Sequence, residues 1–162
     1  MGLVISPDGL RATTLPRAGR EQALREVVEL GAMEPVSDAE AAELVALVRS
    51  LARGEPGDPT PHVDWNGLSG FRREVMEETL RIPSGETRTY GWLAAKVGRP
   101  RAARAVGRVM ATNPLPLVVP CHRVVGADGS LRGYGDSGRT RSAAGLPLKA
   151  ALLRAEGARE VD

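Results

Sequence analysis

The chain has 162 residues, 42% of them apolar and 26% charged, with a net charge of +2; this allows one ordinary domain or two small ones packed together, with a packed core rather than disorder as the default. One cysteine and two histidines exclude an intramolecular disulfide and leave too few ligands for a structural zinc site, so no metal is expected. No apolar run reaches the roughly 18 residues of a membrane span, and "MGLVISPDGLRATTLPR" lacks the regions of a signal peptide, so a cytoplasmic protein without a membrane partner is expected.

In chain order, "LVIS-PDG-LRATTLP" predicts a β-hairpin around a Pro-Asp-Gly turn. "REQALREVVEL" places Leu24, Val27 and Val28 at helical spacing, with Gly31 to end the helix. Ser37 and Glu40 form a capping box for a helix whose apolar face is Leu44, Leu47, Val48 and Leu51, stopping near Gly54. "GEPGDPTP" reads as a linker. Beyond it the chain is mainly helical. Phe71, Val75 and Thr79/Leu80 mark one helix, "PSGET" is a turn, and "TYGWLAAKVG" is a short helix with Leu93, Ala94 and Val97 inward. "RPRA" interrupts the chain, and "AARAVGRVMATN" resumes as a helix burying Ala102, Ala105/Val106 and Val109/Met110. "LPLKAALLRAEG" aligns Leu148, Ala151, Leu152 and Ala155 before Gly157.

The charges are segregated. Residues 21–60 are predominantly acidic. Between Glu86 and Asp128 there is no acidic residue, while Arg88, Lys96, Arg99, Arg101, Arg104, Arg108 and Arg123 fall there. A basic second part suits a polyanionic partner or a solvated face equally well. Residues 89–111 have the order helix, short turn, helix, the pattern of a helix-turn-helix. The second helix offers Ala103, Arg104, Gly107, Arg108 and Ala111 outward. Small residues permit close backbone approach, which fits sequence-tolerant binding in a minor groove better than base reading in a major groove.

Eight residues after Asn113 stands the lone thiol, in "NPLPLVVPCHRVVGADG". A single Cys among Val and Leu is ordinarily a small buried hydrophobe. Here His122 and Arg123 follow it, and a neighbouring imidazole and guanidinium favour the nucleophilic thiolate. Adjacent side chains on a strand point to opposite faces, so coupling of Cys121 with His122 requires irregular backbone, which Pro114, Pro116 and Pro120 supply. The imidazole needs an orienting carboxylate, and Asp128, Asp136 and Glu156 are candidates.

The segment "IPSGETRTYGWLAAKVGRPRAARAVGRVMATNPLPLVVPCHRVVGADGSLRGYG" with "GLPLKAALLRAEG" resembles the O6-alkylguanine-DNA alkyltransferases, the methylated-DNA–protein-cysteine methyltransferases, over roughly residues 66–157. The resemblance implies an α+β fold: a small N-terminal α/β, RNase H-like domain over 1–58, then a mainly helical domain with a helix-turn-helix over 66–157. The chain starts close to a strand, so a first strand missing from that domain, or a shortened domain, is expected. It implies irreversible, single-turnover transfer of a methyl or other alkyl group from O6 of guanine to Cys121, extending to O4-alkylthymine, after the nucleotide is flipped out of double-stranded DNA. His122 takes the thiol proton through a water, Glu156 orients His122, Tyr90 donates to the departing guanine, and Asn113 fixes the turn. Val124, Tyr134, Gly135, Met110 and Pro116 are the implied base-pocket residues. Arg104 fills the gap left by the flipped nucleotide, Ala103 and Gly107 lie against the minor groove, and Thr89, Arg101 and Arg108 complete the DNA-contacting set. No cofactor is implied, and a monomer is expected. The stretch "GDSGRTRSAA" after Tyr134 is about eight residues longer than is usual in the family, a size surface loops tolerate; it adds Arg139 and Arg141. A non-catalytic lesion-binding relative would carry another residue in place of Cys121, and a Cys/His hydrolase would need an imidazole facing the thiol and an oxyanion hole.

Overall fold

The computed structural model describes residues 1–15, 19–32, 34, 39, 41–55, 61–134 and 145–158. The hairpin forms as expected: β1 (Leu3–Ser6) pairs antiparallel with β2 (Gly9–Thr13), with a register shift between Val4 and Ile5. Pro7 and Asp8 make the turn. Gly9 has φ +121°, and a Cβ there would lie 2.5 Å from the His62 carbonyl oxygen, so only glycine fits. That close approach lets residues 62–64 bind β2. Leu10 N–H donates to His62 O at 2.8 Å and Asp64 N–H donates to Leu10 O at 3.0 Å.

Two helices follow, α1 (Arg20–Glu29) and α2 (Ala42–Ala52). In α1 the inward face is Ala23 and Val27, while Leu24 and Val28 are exposed. This corrects the expected Leu24/Val27/Val28 face: the hairpin offers α1 only a narrow contact around Val4 and Ala12, too small for a stripe three residues wide. In α2, Val48 is buried and Leu51 packs beside it. The capping pair Ser37 and Glu40 and most of the Pro/Gly stretch lie outside the described residues.

The rest is built on α3 (Gly70–Leu80), α4 (Tyr90–Lys96), α5 (Ala103–Ala111) and α6 (Leu146–Ala155). Thr89 starts α4, its hydroxyl oxygen accepting Trp92 N–H at 3.1 Å. Helices α4 and α5, with the turn at 97–102 between them, form the expected helix-turn-helix and pack on α3. Val106, Val109 and Met110 of α5 are buried, and Arg104, Arg108 and Ala111 face solvent. On α6 the buried positions are Lys149, Leu152 and Leu153, whereas Ala151 and Ala155 are exposed, so the inward face is rotated from the one expected. Leu153 has no accessible surface, and burying such a side chain contributes about 1.5–3 kcal/mol against about 0.8 for a methyl-sized group; the larger side chains win the face.

Two two-residue strands join distant segments. β3 (Arg88–Thr89) runs parallel to β4 (Val124–Val125), pairing Arg88 with Val124 and Thr89 with Val125. Residues from both sides of the Pro/Gly stretch share one apolar core, in which Leu10 and Val48 meet Val75, Leu93, Leu115 and Leu152. The fold is α+β. Among the described residues no helix is long and apolar enough to cross a membrane.

Candidate active site

The segment between α5 and β4 sets the site. Asn113 follows the end of α5, and its side chain satisfies three groups. Its Oδ1 accepts Leu115 N–H at 2.9 Å, and its Nδ2 donates to Val119 O at 3.0 Å and to Cys121 Sγ at 3.1 Å. The prolines at 114, 116 and 120 keep this stretch out of helix and ladder, and Leu117 takes φ +77°. The chain then makes a single 3-10 turn over Cys121–Arg123. A step of about 120° per residue resolves the difficulty that strand alternation poses: Cys121, His122 and Arg123 are all buried, at 7%, 2% and 3% exposure.

His122 Nε2 lies 2.9 Å from Glu156 Oε1 at the end of α6. Glu156, the carboxylate the resemblance implies, is thus in contact with the imidazole, whereas Asp128 bonds Ser130 and Arg132 and Asp136 lies outside the described residues. Arg123 holds the same carboxylate twice, Nε to Oε2 at 3.1 Å and Nη2 to Oε1 at 2.9 Å, and its Nη1 donates to Ile82 O at 2.5 Å. Burial alone would raise the Glu156 carboxyl, but the hydrogen bonds from His122 and Arg123 prevail and set it at about 2. It is therefore an ionised, acceptor-only group at neutral pH, and Nε2 must carry the imidazole proton. Burial also lowers the pKa of His122 despite the carboxylate, so the ring is neutral and Nδ1 holds a lone pair. Nδ1 is buried without a hydrogen-bond partner among the described residues, as is the hydroxyl of Tyr134. The two rings meet edge to face, 6.2 Å apart.

Burial pushes the Cys121 thiol up, while the Asn113 bond and the charge of Lys149 pull it back. Arg123, which the sequence placed beside the sulfur, is turned to Glu156 and Ile82 instead. The cation acting on the thiol is Lys149. It has no accessible surface, and its Nζ donates to Val124 O at 2.6 Å and Leu131 O at 2.7 Å. Burial brings it down to about 8. Sequence reasoning missed this residue as part of the site. The available signal was its spacing to Leu152 and Leu153, which puts a lysine on the apolar face of α6. Tyr90, half-buried at the start of α4, is raised to about 12 by burial and then by the Cys121 thiolate, so its hydroxyl stays a donor.

Of the residues expected to form the base pocket, Met110, Val124 and Tyr134 belong to the same buried cluster as Cys121. Met110 is buried, its sulfur 3.8 Å from the Thr79 hydroxyl, and Val124 lies in β4. Pro116 is half-buried, and its carbonyl accepts from the Thr13 hydroxyl at 2.7 Å. Gly135, Arg139 and Arg141 lie outside the described residues. On the helix-turn-helix, Arg101, Arg104 and Arg108 are exposed and Ala103 and Gly107 half-exposed. A Cβ at Gly107 would touch the Tyr90 ring at 4.0 Å, so α5 approaches the site closely there. Thr89 is engaged in capping α4. His62 is exposed on the Pro/Gly side of the hairpin.

Residues 70–158 match the family model described as 6-O-methylguanine DNA methyltransferase, DNA binding domain. A methylated-DNA–protein-cysteine methyltransferase of Methanosarcina acetivorans is 47% identical over 54% of this chain and 51% of its own length. One of Mycobacterium leprae is 43% identical over 71% of this chain and 64% of its own. The chain thus aligns with about half to two-thirds of the length of these relatives. Among solved structures, the O6-methylguanine methyltransferase of Mycobacterium tuberculosis superposes with a TM-score of 0.67 at 33% identity, covering 98% of this chain and 93% of that one; OGT of the same organism has also been crystallised in complex with DNA. Similarity of this extent, over a segment that holds Tyr90, Asn113, Cys121, His122 and Glu156 together, makes the chain a member of the 6-O-methylguanine DNA methyltransferase family.

Proposed function

We infer that the protein repairs double-stranded DNA by moving an alkyl group, methyl above all, from O6 of guanine to Cys121, once per molecule. The observation that carries this reading is a buried thiol, hydrogen-bonded by Asn113, next to a neutral imidazole whose far nitrogen is held by an ionised carboxylate. The names of the relatives and the DNA complex of a structural neighbour support it.

The chemistry follows from those groups. The thiol proton passes to His122 Nδ1 through a bridging water, and Glu156 stabilises the imidazolium that forms. The sulfur attacks the alkyl carbon, the carbon–O6 bond breaks, and its electron pair goes to the guanine. Tyr90 gives its hydroxyl proton to the guanine ring as the anion develops and regains one from solvent, and His122 releases the thiol proton to solvent. The net change is a thioether on Cys121 and a neutral guanine; the thiol's proton has gone to solvent and the base has gained one by way of Tyr90. The thioether is stable, so turnover ends there; no metal or organic cofactor enters the balance. O4-alkylthymine offers the same bond to the same nucleophile.

The alkyl carbon is inaccessible in a stacked duplex, so the nucleotide must be extruded at a cost of a few kcal/mol. Arg104, exposed on α5, takes the vacated space, with Ala103 and Gly107 against the minor groove and Thr89, Arg101 and Arg108 near the backbone. Val124, Tyr134, Gly135, Met110 and Pro116 enclose the base. The same reading includes two parts, a small RNase H-like α/β unit over 1–58 and the DNA-binding unit over 66–157, acting as a monomer in the cytoplasm.

Intact-protein mass spectrometry after mixing with a duplex containing one O6-methylguanine tests the reading. A gain of one methyl mapped to Cys121, absent in Cys121→Ala, is expected. Binding of the lesion without a mass gain would place the protein with lesion-binding relatives instead.

A further inference from the structure

The Asn113–Cys121 segment must hold its shape without regular structure. Three of its N–H groups are nonetheless paired: Leu115 N–H with Asn113 Oδ1, Val119 N–H with Leu115 O at 2.8 Å, and Cys121 N–H with Val119 O at 2.7 Å. Pro114 and Pro116 have no N–H to offer, and their carbonyls need donors from elsewhere. Both find the same residue, Thr13, at the end of β2. Thr13 N–H donates to Pro114 O at 2.8 Å, and Thr13 Oγ1 donates to Pro116 O at 2.7 Å. Thr13 itself is only 3% exposed and is paired with Leu3 across the hairpin. The next residue after Pro116 is Leu117, the buried non-glycine at φ +77°. Such a conformation persists only where its surroundings over-determine it.

We propose that Thr13 is a positioning residue for alkyl transfer: by pinning the Pro114 and Pro116 carbonyls it holds the left-handed backbone at Leu117 and so keeps the Asn113 amide on the Cys121 sulfur. The proposal rests on the alkyl-transfer reading for its rate assay. It gives the N-terminal hairpin a specific role in the reaction. The N–H bond is a backbone feature that any residue but proline keeps; the hydroxyl bond is what the threonine adds.

Thr13→Val keeps the β-branched shape and the N–H bond and removes only the hydroxyl, while Thr13→Ser restores the hydroxyl. Three readouts separate positioning from loss of fold. They are the single-turnover methyl-transfer rate at saturating O6-methylguanine duplex, the duplex affinity of each variant in a Cys121→Ala background, and the pH dependence of Cys121 alkylation by iodoacetamide without DNA. For Thr13→Val the transfer rate should fall about 10- to 100-fold, as displacement of a reacting group by an ångström does. Duplex affinity should stay within about twofold and Thr13→Ser should recover to within about threefold of the parent. A Thr13→Val rate equal to the parent's, a Thr13→Ser as slow as Thr13→Val, or a rate loss matched by an equal loss of affinity overturns the proposal. If the parent itself transfers nothing, the proposed function fails, and iodoacetamide decides the Thr13 question alone. The thiol's apparent pKa should then rise in Thr13→Val and not in Thr13→Ser; identical profiles would overturn it.

Discussion

Replacing Glu156 by Gln keeps the shape of the side chain and removes its charge. The carboxylate accepts three hydrogen bonds, one from His122 and two from Arg123, in a site where its side chain is 4% exposed. With the amide oxygen at the Oε1 position, the bonds from His122 Nε2 and Arg123 Nη2 survive. The amide NH2 then faces Arg123 Nε, donor against donor, and the buried guanidinium loses the charge of this carboxylate. Removing one partner of a buried pair costs about 3–5 kcal/mol. For a chain of this size a loss of 1 kcal/mol lowers Tm by about 2–4 °C, so Tm should fall by roughly 6–20 °C. The chemical effect is separate. Stabilisation of the His122 imidazolium drops from a charged to a neutral hydrogen bond, about 1–1.5 kcal/mol, which is about tenfold in rate. The assays are thermal unfolding and single-turnover methyl transfer well below the variant's Tm. A Glu156→Gln protein with unchanged Tm and a transfer rate within about twofold of the parent would refute the account of this triad.

Further outcomes follow from the same geometry. The Glu156 carboxyl sits at about 2 in the folded protein, below its unfolded value, so its stabilisation is complete above the unfolded pKa. It should be lost as pH falls through the folded value, and acid titration of Tm should be shallower between about pH 4.5 and 2 in Glu156→Gln than in the parent. Lys149 shows the opposite end of the scale. Its folded pKa of about 8 lies below the unfolded one, so the unfolded chain binds more protons between about pH 8 and 10.5. Stability should rise with pH there, and Lys149→Met should flatten that slope in denaturant titrations. Asn113→Ala removes the bonds to Leu115, Val119 and Cys121 together; iodoacetamide should then report a higher apparent thiol pKa, and an unchanged one would detach Asn113 from the sulfur. Gly9→Ala drives a Cβ toward the His62 carbonyl and should lower Tm by at least about 2–4 °C, the equivalent of 1 kcal/mol. Arg104→Ala should slow transfer from duplex DNA more than from a single-stranded oligonucleotide, because only a duplex leaves a gap to fill; equal slowing on both would remove that role.

Much of this protein was legible in its residues. Pro7-Asp8-Gly9 between two apolar runs fixes the hairpin, because the turn needs a glycine at φ +121° and the flanking runs suit a half-buried strand. The helix-turn-helix follows from the apolar spacing on either side of the break at "RPRA" and from the outward Arg104 and Arg108. The proline-rich approach to Cys121 marks an irregular backbone, and the motif around it carries the family. These signals are local: each is written within a turn or two of chain, where backbone sterics and periodicity act directly.

What the sequence left open depends on long-range contact. The contact of Glu156 with His122, the turn of Arg123 toward that carboxylate, the buried Lys149 and the grip of Thr13 on Pro114 and Pro116 join residues from 18 to 103 positions apart. The faces of α1 and α6 were misread for the same reason. A helix's own spacing defines several neighbouring stripes, and the partner surface selects among them. Beside the narrow hairpin, Ala23 and Val27 prevail over Leu24 and Val28. Under β4, a lysine displaces alanine inward because two backbone carbonyls, of Val124 and Leu131, await a donor there. The sequence by itself determined where the chain could turn, coil and react; the tertiary structure decided which charged groups meet at the thiol, because desolvation and pairing have no value until the folded chain has removed the water.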